Sequence, residues 1–453
     1  MDKNERIQIF EKMPPVKAAF NQILPAIASQ LVILAYNLTD TFFVGMLNDP
    51  VQTSALQVVY PAFTMLNAVS ALFGIGGAAV VARALGKKEN EKAAVLSSIA
   101  FWTGLAGSVL LSLGFLALGR IILPICGATP ENMAISMKYA AYVITVGGPF
   151  AVCSNVLANL VKSQGEARVA SFGISFGAIL NIALDPIFVL PEFLGMGAGG
   201  AGLATAISNA CAMLFFIIHI ARTKETRAIH FRLDSLKQTG ELFGGILSSG
   251  APTCILNALA VVAVAAQTNF VSKYQVEATA ALGIVKKLDQ LPLYVAMGIG
   301  AGMLPILAYN YSSGNKKRCH DIFVVGCAAS VAFCVFCTVL YELAAPQLCG
   351  IFIKNEETVG LAAAFLRRMV LAMPTMAFCN PVVNLFQASG RIKRATLITV
   401  IRKGVLDIPL LALMDRLSPL YGCMWVQPIV DGSAMIVTIF LYLKFRREEP
   451  DFR

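Results

Sequence analysis

Twelve long apolar stretches, separated by short loops carrying Gly, Pro, Asn or charge, recur along the whole of this 453-residue chain. They cover roughly 16–46, 53–82, 93–119, 131–161, 169–190, 196–221, 241–272, 279–310, 321–345, 358–387, 395–414 and 420–443. Most exceed the ~20 residues that a helix needs to cross a bilayer. At about 38 residues per crossing, no room is left for a soluble catalytic domain. Composition agrees: 57% of residues are hydrophobic and 14% charged, against roughly 45–50% and 25% in soluble domains. Mean hydropathy of +0.71 excludes a water-soluble or disordered chain.

The net charge of +10 would suggest nucleic acid in a soluble protein, so the positions of the basic residues decide its meaning. If loops alternate sides, one side receives 25 lysines and arginines and the other only Arg120, Lys138, Lys273, Lys354 and Arg416. The positive-inside rule then predicts an inner, multi-pass membrane protein with both termini cytoplasmic. No nucleic-acid partner is expected. The first stretch is too long for a signal-peptide core and has no small-residue cleavage site, so it reads as a retained helix. Cysteines number eleven and fall mostly within the spans, so Cys334 and Cys337 read as packing. The histidines His219, His230 and His320 lie near cytoplasmic loops and assemble no catalytic set. Neither an enzyme nor a cofactor is expected.

The two halves repeat each other. A shift of 225 aligns Pro149, Asn155, Asn159 and Gly165 with Pro374, Asn380, Asn384 and Gly390; a shift of 227 aligns Pro25 with Pro252. Each copy holds six helices, so both enter the membrane in one orientation, related by a pseudo-two-fold axis along the membrane normal. The expected organisation is an all-α membrane protein with an N-terminal six-helix lobe (1–222), a cytoplasmic linker (223–239) and a C-terminal six-helix lobe (240–453). Ile229, Phe231, Leu233 and Leu236 among the linker's bases suggest a segment lying on the membrane surface.

Charge inside such helices is costly unless protonated, paired or bound to a cation. Asp40 follows Asn37 by three residues in the first helix, and Asp185 follows Asn181 by four in the fifth, so each acid shares a helix face with an amide. A bland alternative places Asp185 in wetted headgroups, since Pro186 follows it. Two acids with amide neighbours and no base in the midsections of these six helices point instead to a cation or proton site. Under the repeat, with a shift of 222 in the later helices, Asp40 corresponds to Gln267, Asn181 to Lys403, Asp185 to Asp407 and Thr205 to Gln427. A one-residue slip would match Pro186 to Pro409 instead. The second copy thus loses one acid and sets a lysine four residues before the other, placed to neutralise it. Lys286, Lys287, Arg367, Arg368 and Arg402 also fall inside helices of the second half. They either pair internally with Asp289, Glu342, Asp407 and Asp431, or line an electropositive cavity suited to anionic or zwitterionic cargo.

Pro25 removes a backbone hydrogen bond from the first helix and serves as a candidate hinge. The run Gly197-Ala198-Gly199-Gly200-Ala201-Gly202 matches a dinucleotide fingerprint in form only, since no strand precedes it. Gly74, Gly76 and Gly77, with Gly298, Gly300 and Gly302 in the repeat, read as close helix packing.

Twelve spans in two repeats, the Asp40-Thr41-Phe42-Phe43-Val44-Gly45 run, Ala82-Arg83-Ala84-Leu85-Gly86, the Gln164-Gly165 turn, Asn181 to Pro186 and Gly202-Leu203-Ala204-Thr205-Ala206 resemble the multidrug and toxic compound extrusion (MATE) family, in its bacterial MepA-like and DinF-like branch. The resemblance covers essentially the whole chain. It implies an antiporter, acting as a monomer in the bilayer, that expels organic cations or amphipathic drug-like compounds in exchange for H⁺ or Na⁺. It also implies Asp40, Asn181, Asp185 and Thr205 as the coupling site, including any Na⁺, with Tyr36 as a neighbour. Gln267, Lys403, Asp407 and Gln427 are the possible C-terminal counterpart. Two nearby carboxylates in a low-dielectric site cannot both stay ionised cheaply, so a cation entering from outside would neutralise the pair and favour one arrangement. The alternative reading is a flippase or exporter of an anionic, lipid-linked or other endogenous metabolite.

Overall fold

The computed structural model describes residues 8–47, 49–223, 229–353 and 355–452. Of the loop bases counted above, Lys3, Arg6, Lys224, Arg227, Lys354 and Arg453 lie outside the described residues. Among those described, eleven helices are long and apolar enough to cross a membrane. Ten of them are α1 (Pro15–Gly45), α2 (Val51–Gly86), α3 (Asn90–Ile125), α4 (Met133–Ser163), α5 (Ala167–Val189), α6 (Ala198–Arg222), α7 (Thr239–Val271), α8 (Val276–Ser312), α9 (Lys316–Gly350) and α10 (Glu356–Ala388).

The stretch expected at 395–414 is broken. Helices α11 (Ile392–Val400) and α12 (Asp407–Leu417) are joined through a π-helical turn at Ile401–Val405, and α13 (Gly422–Glu448) follows. The break has local causes: Gly404 weakens the helix, and Pro409 lacks the N–H that an uninterrupted helix would use one turn back. With this segment counted, the candidate spans among the described residues number the expected twelve. Outward faces suit lipid: Leu110, Leu113, Leu116 and Ile121 stay exposed along α3, a stripe that would promote aggregation in water.

Packing groups the chain into two compact units, one of Met1–Met13 and Ala28–Asn257 and the other of Pro14–Ile27 and Ala258–Arg453. This grouping differs from a division at the 223–239 linker, because the units part inside α1 and α7. Close helix approach explains the assignment. In the first unit, a Cβ on Gly76 of α2 would collide with the Ile246 carbonyl oxygen of α7. In the second, a Cβ on Gly298 or Gly302 of α8 would lie 2.7 Å from Ile27 Cα or the Gln22 carbonyl oxygen of α1. The boundaries fall just beyond Pro25 and Pro252, yet α1 and α7 run helically through both prolines.

The linker docks on the first unit. Ile229 is buried, Phe231 packs on Phe101 with ring centres 4.8 Å apart, and the Ser98 hydroxyl donates to the His230 carbonyl at 2.6 Å. Ile229 and Phe231 therefore turn towards the protein, while Leu233 and Leu236 remain exposed. Residues 224–228 of the linker lie outside the description.

A polar clamp closes the second unit's C-terminal end. Glu449 accepts from Lys316 (2.6 Å), Tyr311 (2.7 Å) and Arg391 (2.7 Å), and Phe452 is fully buried against Phe445. Burial opposes ionisation of Glu449, but these hydrogen bonds outweigh it and hold its carboxyl down to about 2, from an ordinary 4.5. The folded state binds a proton less readily than the unfolded one, so this contribution is complete above pH 4.5 and is lost as pH falls through about 2. Glu449→Gln should lower the thermal midpoint at neutral pH by roughly 2 °C. A pH series in detergent should show the gap to the parent shrinking below pH 4.5.

Candidate functional site

In the first unit, α1 supplies Asp40, α5 supplies Asn181 and Asp185, and α6 supplies Thr205. Small residues allow these helices to meet. A Cβ on Gly177 of α5 would lie 2.9 Å from Ala212 Cβ and 3.2 Å from the Ser208 carbonyl oxygen of α6. Gly202 brings α6 against Tyr139 of α4 in the same way, with a notional Cβ 3.0 Å from the Tyr139 carbonyl oxygen. Gly197, at φ +60°, turns the chain into α6, where the Gln52 side chain caps Ala198 N–H at 2.9 Å. The glycine run is thus a packing device. Gly177→Leu should push α5 from α6 and separate Asp185 from Thr205, at about 1–3 kcal/mol for overpacking. Lowered thermal stability together with lost dye efflux is the expected result.

The four residues converge and are nearly sealed from solvent: Asp40 is 8% exposed, Asn181 2%, Asp185 0% and Thr205 5%. Asp185 therefore sits in the unit's interior, and α5 continues past Pro186 to Val189. Asp40 and Asp185 are within side-chain hydrogen-bonding reach of each other. In the amide orientation that satisfies both ends, Asn181 Nδ2 donates to Asp40 Oδ1 (2.9 Å), and its oxygen accepts from Thr205 N–H (3.2 Å). The reverse orientation gives longer contacts from Nδ2, 3.4 Å to Asp185 Oδ1 and 3.3 Å to Thr205 Oγ1. In both, the N–H end faces a carboxylate. Asp185 Oδ2 has no hydrogen-bond partner among the described residues.

Tyr36 stands half-buried one turn before Asp40 on α1. Tyr139 on α4 is near enough to feel both carboxylates. Sequence reasoning missed it because a tyrosine in an apolar helix carries no periodic or charge signal. Among the described residues no three His, Cys, Asp or Glu side chains gather as a metal-binding group.

The second unit gathers the C-terminal counterparts differently. Gln267, Lys403, Asp407 and Gln427 line one small open cleft together with Lys286. The expected i,i+4 ion pair is not made: Lys403 Nζ donates to Gln427 Oε1 at 2.5 Å, and Asp407 Oδ2 has no partner among the described residues. The π turn holding Lys403 and the break before Asp407 destroy the one-turn register that an intact helix would keep. Gln267 Nε2 donates to the Cys423 carbonyl at 3.1 Å. Of the other bases, Arg402 pairs with Asp431 (3.0 Å) and donates to Asn380 (2.6 Å), Arg367 approaches Glu342 at 3.9 Å, and Arg368 lies 4.6 Å above the Tyr421 ring. Internal contacts thus absorb the arginines, Lys287 is exposed and does not line the cleft, and Lys286 and Lys403 remain at it.

Twelve crossings in two repeats, with carboxylates sealed inside, define a multi-pass membrane protein of the secondary-transporter type. The MatE family model matches residues 25–187 and again 252–413, once per repeat. The chain belongs to the MatE family. Multidrug export protein MepA of Staphylococcus aureus (strain MRSA252) is 28% identical over 97% of this chain and 96% of its own. The MepA protein of Staphylococcus saprophyticus is 29% identical at the same coverage. Among solved structures, the Vibrio cholerae MATE transporter VcmN superposes with a TM-score of 0.89 at 18% identity, covering 97% of this chain and 98% of that one.

Proposed function

We propose that this protein exports amphipathic organic cations across the cell membrane in exchange for protons, with Asp40 and Asp185 as the coupling pair. Export of drug-like compounds is the activity named for the MepA relatives. The observation that carries the coupling reading is the carboxyl pair itself. Two buried carboxyls within hydrogen-bonding reach meet favourably only when a proton or cation sits between them. A proton fits better than Na⁺. Asn181 presents N–H to a carboxylate in either amide orientation, at 2.9 Å to Asp40 Oδ1 in one and 3.4 Å to Asp185 Oδ1 in the other, whereas a Na⁺ site is built from oxygens.

In this mechanism the protein acts as a monomer in the inner membrane with cytoplasmic termini, and the repeats 1–222 and 240–453 rock to alternate access. Coupling requires the proton to distinguish the two arrangements. Moving a population from 1:99 to 99:1 takes about 10⁴-fold tighter binding to one of them. Burial and exposure of a carboxyl pair supply a difference of that kind, because ionisation is cheap only in the wetted arrangement. Export of an anionic endogenous metabolite is the second reading, favoured by Lys286 and Lys403 at the C-terminal cleft.

Proteoliposomes loaded with a cationic dye separate the coupling ions. At clamped membrane potential, an imposed pH gradient should drive efflux and a Na⁺ gradient without a pH gradient should not. Efflux driven by Na⁺ alone would overturn the proton assignment.

A further inference from the structure

The C-terminal cleft has a chemistry that a plain cation exporter does not need. Its polar lining is Gln267, Lys286, Lys403, Asp407 and Gln427, with Val264, Leu411 and Val426 among its apolar walls. Arg402 and Asp431 neutralise each other behind it at 3.0 Å. Asp431 also anchors Gln427, whose Nε2 donates to Asp431 Oδ2 at 2.6 Å, and Gln427 in turn holds Lys403. Lys403 is therefore aimed by a fixed chain of hydrogen bonds, yet its ammonium meets only an uncharged amide oxygen. Lys286 makes no ion pair among the described residues; Asp289, Asp407 and Lys403 are the charges near enough to act on it. Asp407 is 4% exposed and its Oδ2 lacks a partner among the described residues. Two ammonium groups and one open carboxylate oxygen thus face a single cleft with apolar walls.

A structural lysine would be expected to close an ion pair, and a metal-cation site would not be flanked by two ammoniums. We propose that the cleft is a cargo subsite for amphipathic zwitterions. Lys286 and Lys403 take the cargo's carboxylate and Asp407 Oδ2 accepts from its ammonium or amine N–H, so the cleft holds the charged end of the cargo and leaves its apolar body outside. Charge-assisted hydrogen bonds in a partly dry cleft are the stronger kind, so a free carboxylate on the cargo carries selectivity. The inference rests on the export reading and deepens it, since it names which drug-like compounds bind and where.

The test is a matched pair of dyes: an unmethylated rhodamine with a free benzoate, and the methyl ester of the same dye, which is a plain cation. Binding is read by fluorescence anisotropy on the purified full-length protein in detergent, with no gradient present. The parent should bind the zwitterion about tenfold more tightly than the ester. Lys286→Met and Lys403→Met should each remove that preference, and Lys286→Arg should keep much of it. Equal affinity for both dyes in the parent, binding of neither, or a preference that survives both Met variants would overturn the subsite. The dye comparison needs no variant to fold. Gradient-driven efflux of the ester is scored separately: efflux without zwitterion preference removes the subsite alone, and preference without efflux removes the export reading alone.

Discussion

Asp40→Asn and Asp185→Asn should each reduce gradient-driven dye efflux to the level of empty vesicles while leaving the protein folded. Asparagine matches the volume of aspartate and can still accept from Asn181 Nδ2, which donates to Asp40 at 2.9 Å. What it cannot do is gain or lose a proton. Since Asp40 and Asp185 are 8% and 0% exposed, removing a titratable group from so dry a site lowers a desolvation cost, and thermal stability should hold or rise. Stable protein with no coupled efflux is the diagnostic combination. Loss of both together would instead mark the pair as scaffolding, and unchanged efflux would remove it from the mechanism.

The largest stability effect is expected in the second unit. Arg402 and Asp431 are 3% and 1% exposed and meet at 3.0 Å. Removing one partner leaves the other's charge buried without compensation, at about 3–5 kcal/mol. Arg402→Met and Asp431→Leu should therefore each be severely destabilised, and Asp431→Leu should also release Gln427, which donates to Asp431 at 2.6 Å. The double variant buries no lone charge and should recover to within about 1 kcal/mol of the parent. Denaturation of the four proteins in one detergent gives the cycle. A double variant as unstable as the sum of the singles would show that the pair does not act as a unit.

Crossings and buried acids were legible in the chain because both rest on one-dimensional signals. Apolar runs of bilayer length and a charge within them are visible without knowing what packs where. The repeat was equally plain from Pro25 and Pro252, and the MatE model matches once in each copy. What was not legible depends on helix interiors and on partners far away in sequence. The π turn at Ile401–Val405 shifts Lys403 relative to Asp407, so the i,i+4 contact made by Asn181 and Asp185 has no direct counterpart in the second copy, although Lys403 stays near enough to act on Asp407. Tyr139 joins the first site only because Gly202 lets α6 close on α4. The first halves of α1 and α7 group with the opposite repeats for a similar reason, glycines whose role appears only with their neighbours in place.

Proton release on dye binding tests the central claim most directly. In weakly buffered detergent solution, near the pH at which the pair is half protonated, adding a cationic dye to the parent should release up to about one proton per molecule bound. Asp40→Asn and Asp185→Asn should bind the dye with little or no release. Saturable dye binding by the parent with no proton released at any pH between 5 and 9, a range of about two units around neutrality, would contradict coupling through Asp40 and Asp185.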